Sequence, residues 1–183
     1  QHRFRRADRL DGLHGDLRLA LHDQLPRAFR GAPELPAELP LRGIVHGAAV
    51  IEDGFLAQLD HAQIKRVLRP KVAGAWNLGL AADAIAAPLD FFVSFSSIAQ
   101  LLGSQGQGNY TAANAFLNAF ASYRRSRGQT ASTVAWGVIG GTGFVSRSEA
   151  LGNYLDSVGM RAVGADEAAE SLGSMLRAAS ETL

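Results

Sequence analysis

Side chains able to handle a proton crowd one short stretch, FFVSFSSIAQLLGSQGQGNYTAANAFLNAFASYRR, residues 91–125. An apolar run ends at Ser96 and Ser97. A glycine-rich segment follows, and beyond it Tyr110 and Asn114 stand at i and i+4, a spacing that places both on one face of a helix. A serine hydroxyl just past a strand can donate to a substrate carbonyl; it can equally satisfy backbone groups in a turn. Tyr110 and Asn114 admit two readings as well: a functional pair, or a tyrosine at a sheet rim with an asparagine capping a neighbouring loop. Asn is poorly favoured inside an apolar helix face, and a buried one needs partners.

Other chemistries find less support. GSQGQG, residues 103–108, lacks the Lys-Ser/Thr that closes a phosphate-cradling loop. Its glycines serve close backbone approach and a sharp re-entry into the Tyr110 helix. No G-x-S-x-G elbow is present, which argues against a serine hydrolase. His46 reads as a satisfied rim histidine rather than a ligand. No second His or carboxylate stands at ligand spacing from it, so no metal is expected. The chain has no cysteine, which excludes disulfides and thiolate sites.

These residues need a frame. At 183 residues, 47% hydrophobic and 19% charged, the chain reads as one globular domain or a piece of a larger one. A net charge of +1 gives no general reason to expect nucleic acid. No apolar run approaches the roughly 18 residues of a membrane span, and the Arg-, Asp- and His-rich start is no secretory signal. A soluble, cytoplasmic protein is expected, with neither nucleic acid nor membrane among its partners. Two lysines occur, Lys65 and Lys71, against sixteen arginines.

Residues 1–40 read as a poorly packed lead-in or linker. A helix is conceivable around Leu13–Leu25 before the proline-punctuated GAPELPAELP, and Arg3, Arg5 and Arg6 form a solvated basic cluster. From residue 41 to 183 the pattern is ordered. LRGIVHGAAV predicts a buried strand over Ile44–Ala48. LDHAQIKRVL predicts a short helix capped by Asp60, and a second helix is expected to begin at Pro70, since proline suits a first turn and not an interior. LDFFVSFS predicts a strand over Phe91–Phe95. The next helix carries Ala113, Phe116, Leu117 and Phe120 at i, i+3, i+4 and i+7. Arg124, Arg125 and Arg127 complement its C-terminal end, and Gly128 stops it. TASTVAWG gives a third strand at Thr133–Trp136. GADEAAESLGSMLRAA gives a last amphipathic helix. This alternation predicts an α/β fold with a doubly wound parallel sheet. Ligands of such sheets bind beyond the carboxyl ends of the strands, where the loops after Val45, Phe95 and Trp136 form one rim. His46, Ala48, Trp136 and Gly137 on that rim are candidates for touching a cofactor.

Taken together, LRGIVHGAAVIEDG, LRPKVAGAWNL, FSSIAQLLGSQGQGNYTAANAFLNAFASYRR and TVAWG closely resemble the ketoreductase domains of modular polyketide synthases, members of the short-chain dehydrogenase/reductase superfamily. The resemblance runs from about Leu41 to Phe144 and, more weakly, to the C-terminus, so that residues 41–183 are expected to be the carboxyl-side part of such a domain. It implies a Rossmann-like fold and NADPH as cofactor. It also implies a β-ketoacyl thioester on the phosphopantetheine of an acyl carrier protein as substrate, among neighbouring synthase domains. The family's catalytic serine, tyrosine and asparagine match Ser97, Tyr110 and Asn114, and its lysine in K-x-x-G matches Lys71 of KVAG. Hydride attack on the β-keto carbon would build negative charge on oxygen, which preorganised donors must meet. Ser97 would donate a hydrogen bond and Tyr110 the proton. A phenol titrates near ~10; the Lys71 ammonium would favour its ionisation, and Asn114 would hold Lys71 or a relay water.

The family's cofactor-binding half carries G-x-G-x-x-G after the first strand, and this chain has no such motif. The expectation is therefore the carboxyl-side part of a ketoreductase, inactive as an isolated chain; the alternative is a non-catalytic domain that packs against neighbouring modules. The LDD motif of ketoreductase stereochemistry appears as IED with Asp53 retained, and Leu102 stands where the opposite class carries Trp. Both point to a B-type outcome, a D-configured β-hydroxyl.

Overall fold

The computed structural model describes residues 41–84, 88–140, 159 and 162–181. The expectations for 1–40, including a helix around Leu13–Leu25, lie outside them. Three strands, β1 (Gly43–His46), β2 (Phe91–Ser97) and β3 (Ser132–Trp136), form a sheet in the order β1-β2-β3. Both pairings are parallel, in the register Ile44↔Phe92 and Phe95↔Val134. Helix α1 (His61–Asp83) links β1 to β2, while α2 (Ala99–Leu102) and α3 (Gly108–Ser126) link β2 to β3. A last helix, α4 (Ala165–Glu181), follows and also touches β2. This is the Rossmann-like alternation that the hydrophobic pattern predicts. β1 ends at His46 rather than Ala48, and β2 runs on to Ser97, so both serines belong to the strand.

The largest departure is in α1. Two helices meeting at Pro70 are expected, yet one helix runs through it. Pro70 removes one intrahelical hydrogen bond. However, Val67, Lys71, Ala75, Gly79 and Ala82 are buried along a single stripe that crosses the proline in phase. Breaking the helix there would cost that continuous contact with the sheet and α3. Its start is fixed as expected: Asp60 accepts from the Gln63 N–H at 2.7 Å, and the Gln63 side chain accepts from the Asp60 N–H at 3.0 Å, a reciprocal capping box.

α1 and α3 pack together over the sheet. Between them and β2 lies a core of Ala75, Ala82, Phe92, Leu117, Phe120, Ala121 and Ala131, flanked by Trp76 and Phe116. Leu117 is wholly buried and Phe92 nearly so; a side chain of this kind contributes about 1.5–3 kcal/mol. The helices approach closely because position 79 is glycine. A Cβ there would meet the Phe120 ring at 2.7 Å. Arg124 stands in the last turn of α3 as expected, and is buried there. It donates to the Gly79 carbonyl and to Asp83, with its guanidinium 4.7 Å from the Phe92 ring centroid. Gly128, at φ +72°, ends the helix region as expected.

Candidate active site

The carboxyl ends of the strands carry the residues of interest, and the two serines there are not equivalent. Side chains alternate along a strand. Ser96 is buried and donates to the Asn114 carbonyl at 3.2 Å, tying β2 to α3. Ser97 is half-buried, and its Oγ accepts from the Ala99 N–H at 3.2 Å, at the entry to α2. A hydroxyl has one O–H and two lone pairs, so Ser97 satisfies its turn and keeps its proton to donate. The turn reading applies to Ser97, which also has a proton left to give, while Ser96 is engaged with the helix.

Lys71 reaches the same place from α1. Only 3% exposed, it donates from Nζ to the Phe95 carbonyl at 2.8 Å, and the ammonium lies 5.9 Å from the Tyr110 ring centroid. Burial drives its pKa down from 10.5 to about 8. The lysine is thus on the Tyr110 side of the sheet, because α1 and α3 pack against each other over it.

Asn114 is fully buried. Its Nδ2 donates to the Tyr110 carbonyl at 2.8 Å, within the same helix. Its Oδ1 has no protein partner. The asparagine therefore caps no neighbouring loop; it leaves an unsatisfied acceptor beneath the tyrosine's turn, a costly arrangement unless something fills it. His46 also departs from expectation. It is buried against α1, with its Nε2 unpartnered and its ring where a Cβ on Gly74 would meet it at 3.0 Å. Burial lowers its pKa, the Lys71 charge adds to that, and the Pro70 and Lys71 carbonyls partly offset both. Of the other rim candidates, Ala48 and Gly137 are exposed. Trp136 packs edge-on against Phe95 at 5.7 Å, its Nε1 unpartnered.

Two loops meet beside this cluster. Asp53 accepts twice from Gln107 Nε2, at 3.0 Å each, and the Gly54 N–H donates to the Gly106 carbonyl at 2.7 Å. Gly106 takes φ +74°, a turn that favours glycine. Arg66 holds Glu52 through two bonds of 2.7 and 2.8 Å. Asn109 bridges the Glu52 carbonyl and the Tyr110 N–H. Leu102 stands exposed at the end of α2. Arg66, Gln107 and Asn109 escape sequence reasoning. Asn109 had one signal, its place directly before Tyr110; its partner lies 57 residues away.

A parallel α/β sheet with a buried lysine beside a tyrosine, and a serine closing the adjoining strand, places the chain among Rossmann-like proteins. The family model for the KR domain matches residues 19–141, beginning upstream of Leu41. The chain belongs to this family, the ketoreductase domains of polyketide synthases. It is 43% identical over 142 residues to the phthioceranic/hydroxyphthioceranic acid synthase of Mycobacterium tuberculosis (strain ATCC 25618 / H37Rv), covering 76% of this chain and 7% of that protein. It is 48% identical over 110 residues to the spectinabilin polyketide synthase system protein NorB of Streptomyces orinoci, covering 60% and 5%. Among solved structures, A-type ketoreductases from a modular polyketide synthase share 37% identity at a TM-score of 0.75, covering 88% of this chain and 32% of that one. A C2-type ketoreductase shares 32% at 0.71, covering 82% and 32%. The chain thus spans about a third of the solved ketoreductases and a small fraction of the synthases. The neighbours include both A-type and C2-type ketoreductases, so likeness of fold does not assign a type here.

Proposed function

We propose that this chain carries the proton-delivering part of a ketoreductase that reduces a carrier-bound β-ketoacyl thioester to the β-hydroxyacyl form within a polyketide synthase. The observation that carries this reading is the sequestered Lys71 ammonium beside Tyr110, at the strand end that Ser97 closes. The residues fit the reacting end of a nicotinamide and its ketone: an available hydroxyl on Ser97, a phenol next to a cation, and an unsatisfied acceptor on Asn114. Bound NADPH would supply the hydride.

The chain's own residues handle the oxygen. Ser97 donates to the carbonyl oxygen and holds it as charge develops. Tyr110 gives that oxygen its proton. Lys71 lowers the cost of the phenolate left behind. With a pKa of about 8, it stays charged at neutral pH while lying close enough to neutrality to pass on a proton. Asn114 Oδ1 receives Lys71 or a relay water. Asp53 and Leu102 favour a D-configured hydroxyl. The acyl carrier protein and the adjoining synthase domains are the partners, in the cytoplasm.

The test is NADPH consumption with a β-ketoacyl thioester by the synthase domain that contains this chain. Tyr110→Phe is expected to abolish turnover and spare NADPH binding. Undiminished turnover by that variant refutes the assignment.

A further inference from the structure

We propose that Asn109 is a positioning residue for Tyr110, through which the 52–54 loop sets the place of the tyrosine hydroxyl. The inference rests on the reading of Tyr110 as proton donor and goes beyond it. Asn109 is 3% exposed and uses both ends of its amide: Oδ1 accepts from the Tyr110 N–H at 2.8 Å, and Nδ2 donates to the Glu52 carbonyl at 2.9 Å. No freedom remains for the side chain to turn without losing one bond.

The start of α3 makes this matter. A helix begins with N–H groups that its own turns leave unpaired, and a polar N-cap side chain ordinarily serves one of them. Gln107, the N-cap residue of α3, makes no such bond; its side chain is spent on Asp53. Tyr110 is the third residue of that helix, so its position is set by bonds arriving from outside. They come from one loop: Glu52 through Asn109, Asp53 through Gln107, and Gly54 through Gly106. The loop is held in turn by Arg66 on α1, the helix that also delivers Lys71. Proton donor and cation therefore share one frame, and Asn109 is the joint.

The variants are Asn109→Ala, Asn109→Asp, Arg66→Met and Tyr110→Phe, in the synthase domain that contains the chain. Asn109→Asp keeps an acceptor for the Tyr110 N–H but sets a carboxylate against the Glu52 carbonyl. Arg66→Met removes an exposed ion pair that contributes little to stability. Turnover is expressed per NADPH-binding site, with KM, product stereochemistry and the thermal midpoint followed separately. Misplacement by about 1 Å costs up to roughly a hundredfold in rate. Asn109→Ala and Asn109→Asp are accordingly expected to lose about tenfold or more in kcat per site, with the KM for NADPH within about twofold and stereochemical purity eroded. Arg66→Met is expected to lose about threefold at an unchanged midpoint, because it acts through the loop alone.

A role confined to folding would lower the midpoint and the number of NADPH sites while leaving kcat per site intact, and that result overturns the proposal. Wild-type kcat in Asn109→Asp overturns the coupling to the loop, and this variant decides the matter even where Asn109→Ala does not fold. With Tyr110→Phe inactive, either failure belongs to Asn109 alone. Full turnover in Tyr110→Phe instead removes the reading of Tyr110, and this inference with it.

Discussion

Replacing Lys71 by Met separates what the lysine does for chemistry from what it costs the fold. The native ammonium titrates at about 8 rather than 10.5, because burial penalises its charge. Each pK unit is about 1.4 kcal/mol, so holding the charged form at pH 7 costs roughly 3 kcal/mol. Met removes that cost and fills similar volume, but strips the Phe95 carbonyl of its donor, a loss of about 1–3 kcal/mol. At pH 7 the variant should therefore be from equally stable to about 2 kcal/mol more stable than the native chain. The sign of the pH dependence follows from the lowered pKa. Between about 8 and 10.5 the unfolded lysine still binds a proton that the folded one has released, so native stability rises with pH across that window and is lost as pH falls. The Met variant has no such rise, and its advantage should vanish by the top of the window. Urea unfolding of both proteins at a series of pH values measures this directly. Parallel stability curves would refute the argument, because they would mean that Lys71 is not held against its charge. Turnover should move the other way. Losing the cation beside Tyr110 should cost about a hundredfold in rate, as for removal of one group that meets developing charge.

The two serines should separate cleanly in the synthase domain. Ser97→Ala is expected to lower kcat by about a hundredfold, as for removal of one donor to a developing oxyanion, while Ser96→Ala should chiefly lower the thermal midpoint, through about 1 kcal/mol of lost hydrogen bonding to Asn114. Leu117→Ala, at a wholly buried position, should cost about 2–5 kcal/mol in urea unfolding without altering NADPH affinity in the protein that remains folded. The 183-residue chain alone carries no G-x-G-x-x-G turn, so it is expected to consume little NADPH with a β-ketoacyl thioester. Positioning of reactants supplies about 7–11 kcal/mol of barrier reduction, and robust turnover by the short chain would show that its own residues grip the cofactor.

Much of the frame is local and therefore readable in the sequence. The Asp60 cap, the stripe of Ala113, Leu117 and Phe120, and the Gly128 stop each depend on residues within a turn or two, and each stands where spacing puts it. The three apolar runs announce parallel strands, but the burial expected of such strands is reached mainly in β2, while Val45 of β1 is 49% exposed. The family motifs likewise mark Ser97, Tyr110, Lys71 and Asn114. Tertiary packing decided what local rules leave open. It carried α1 straight through Pro70, since a continuous buried stripe outweighs one missing hydrogen bond. It divided the serines, because only the packed strand shows that Ser96 faces the Asn114 carbonyl while Ser97 faces its own turn. It buried Arg124 in the last turn of α3, where spacing alone placed the residue but not its partners. It also set Asn109 against a carbonyl 57 residues away. A hydrogen bond across such a separation leaves no periodicity in the chain; it exists only once α1, β2 and α3 have packed and brought the two loops together.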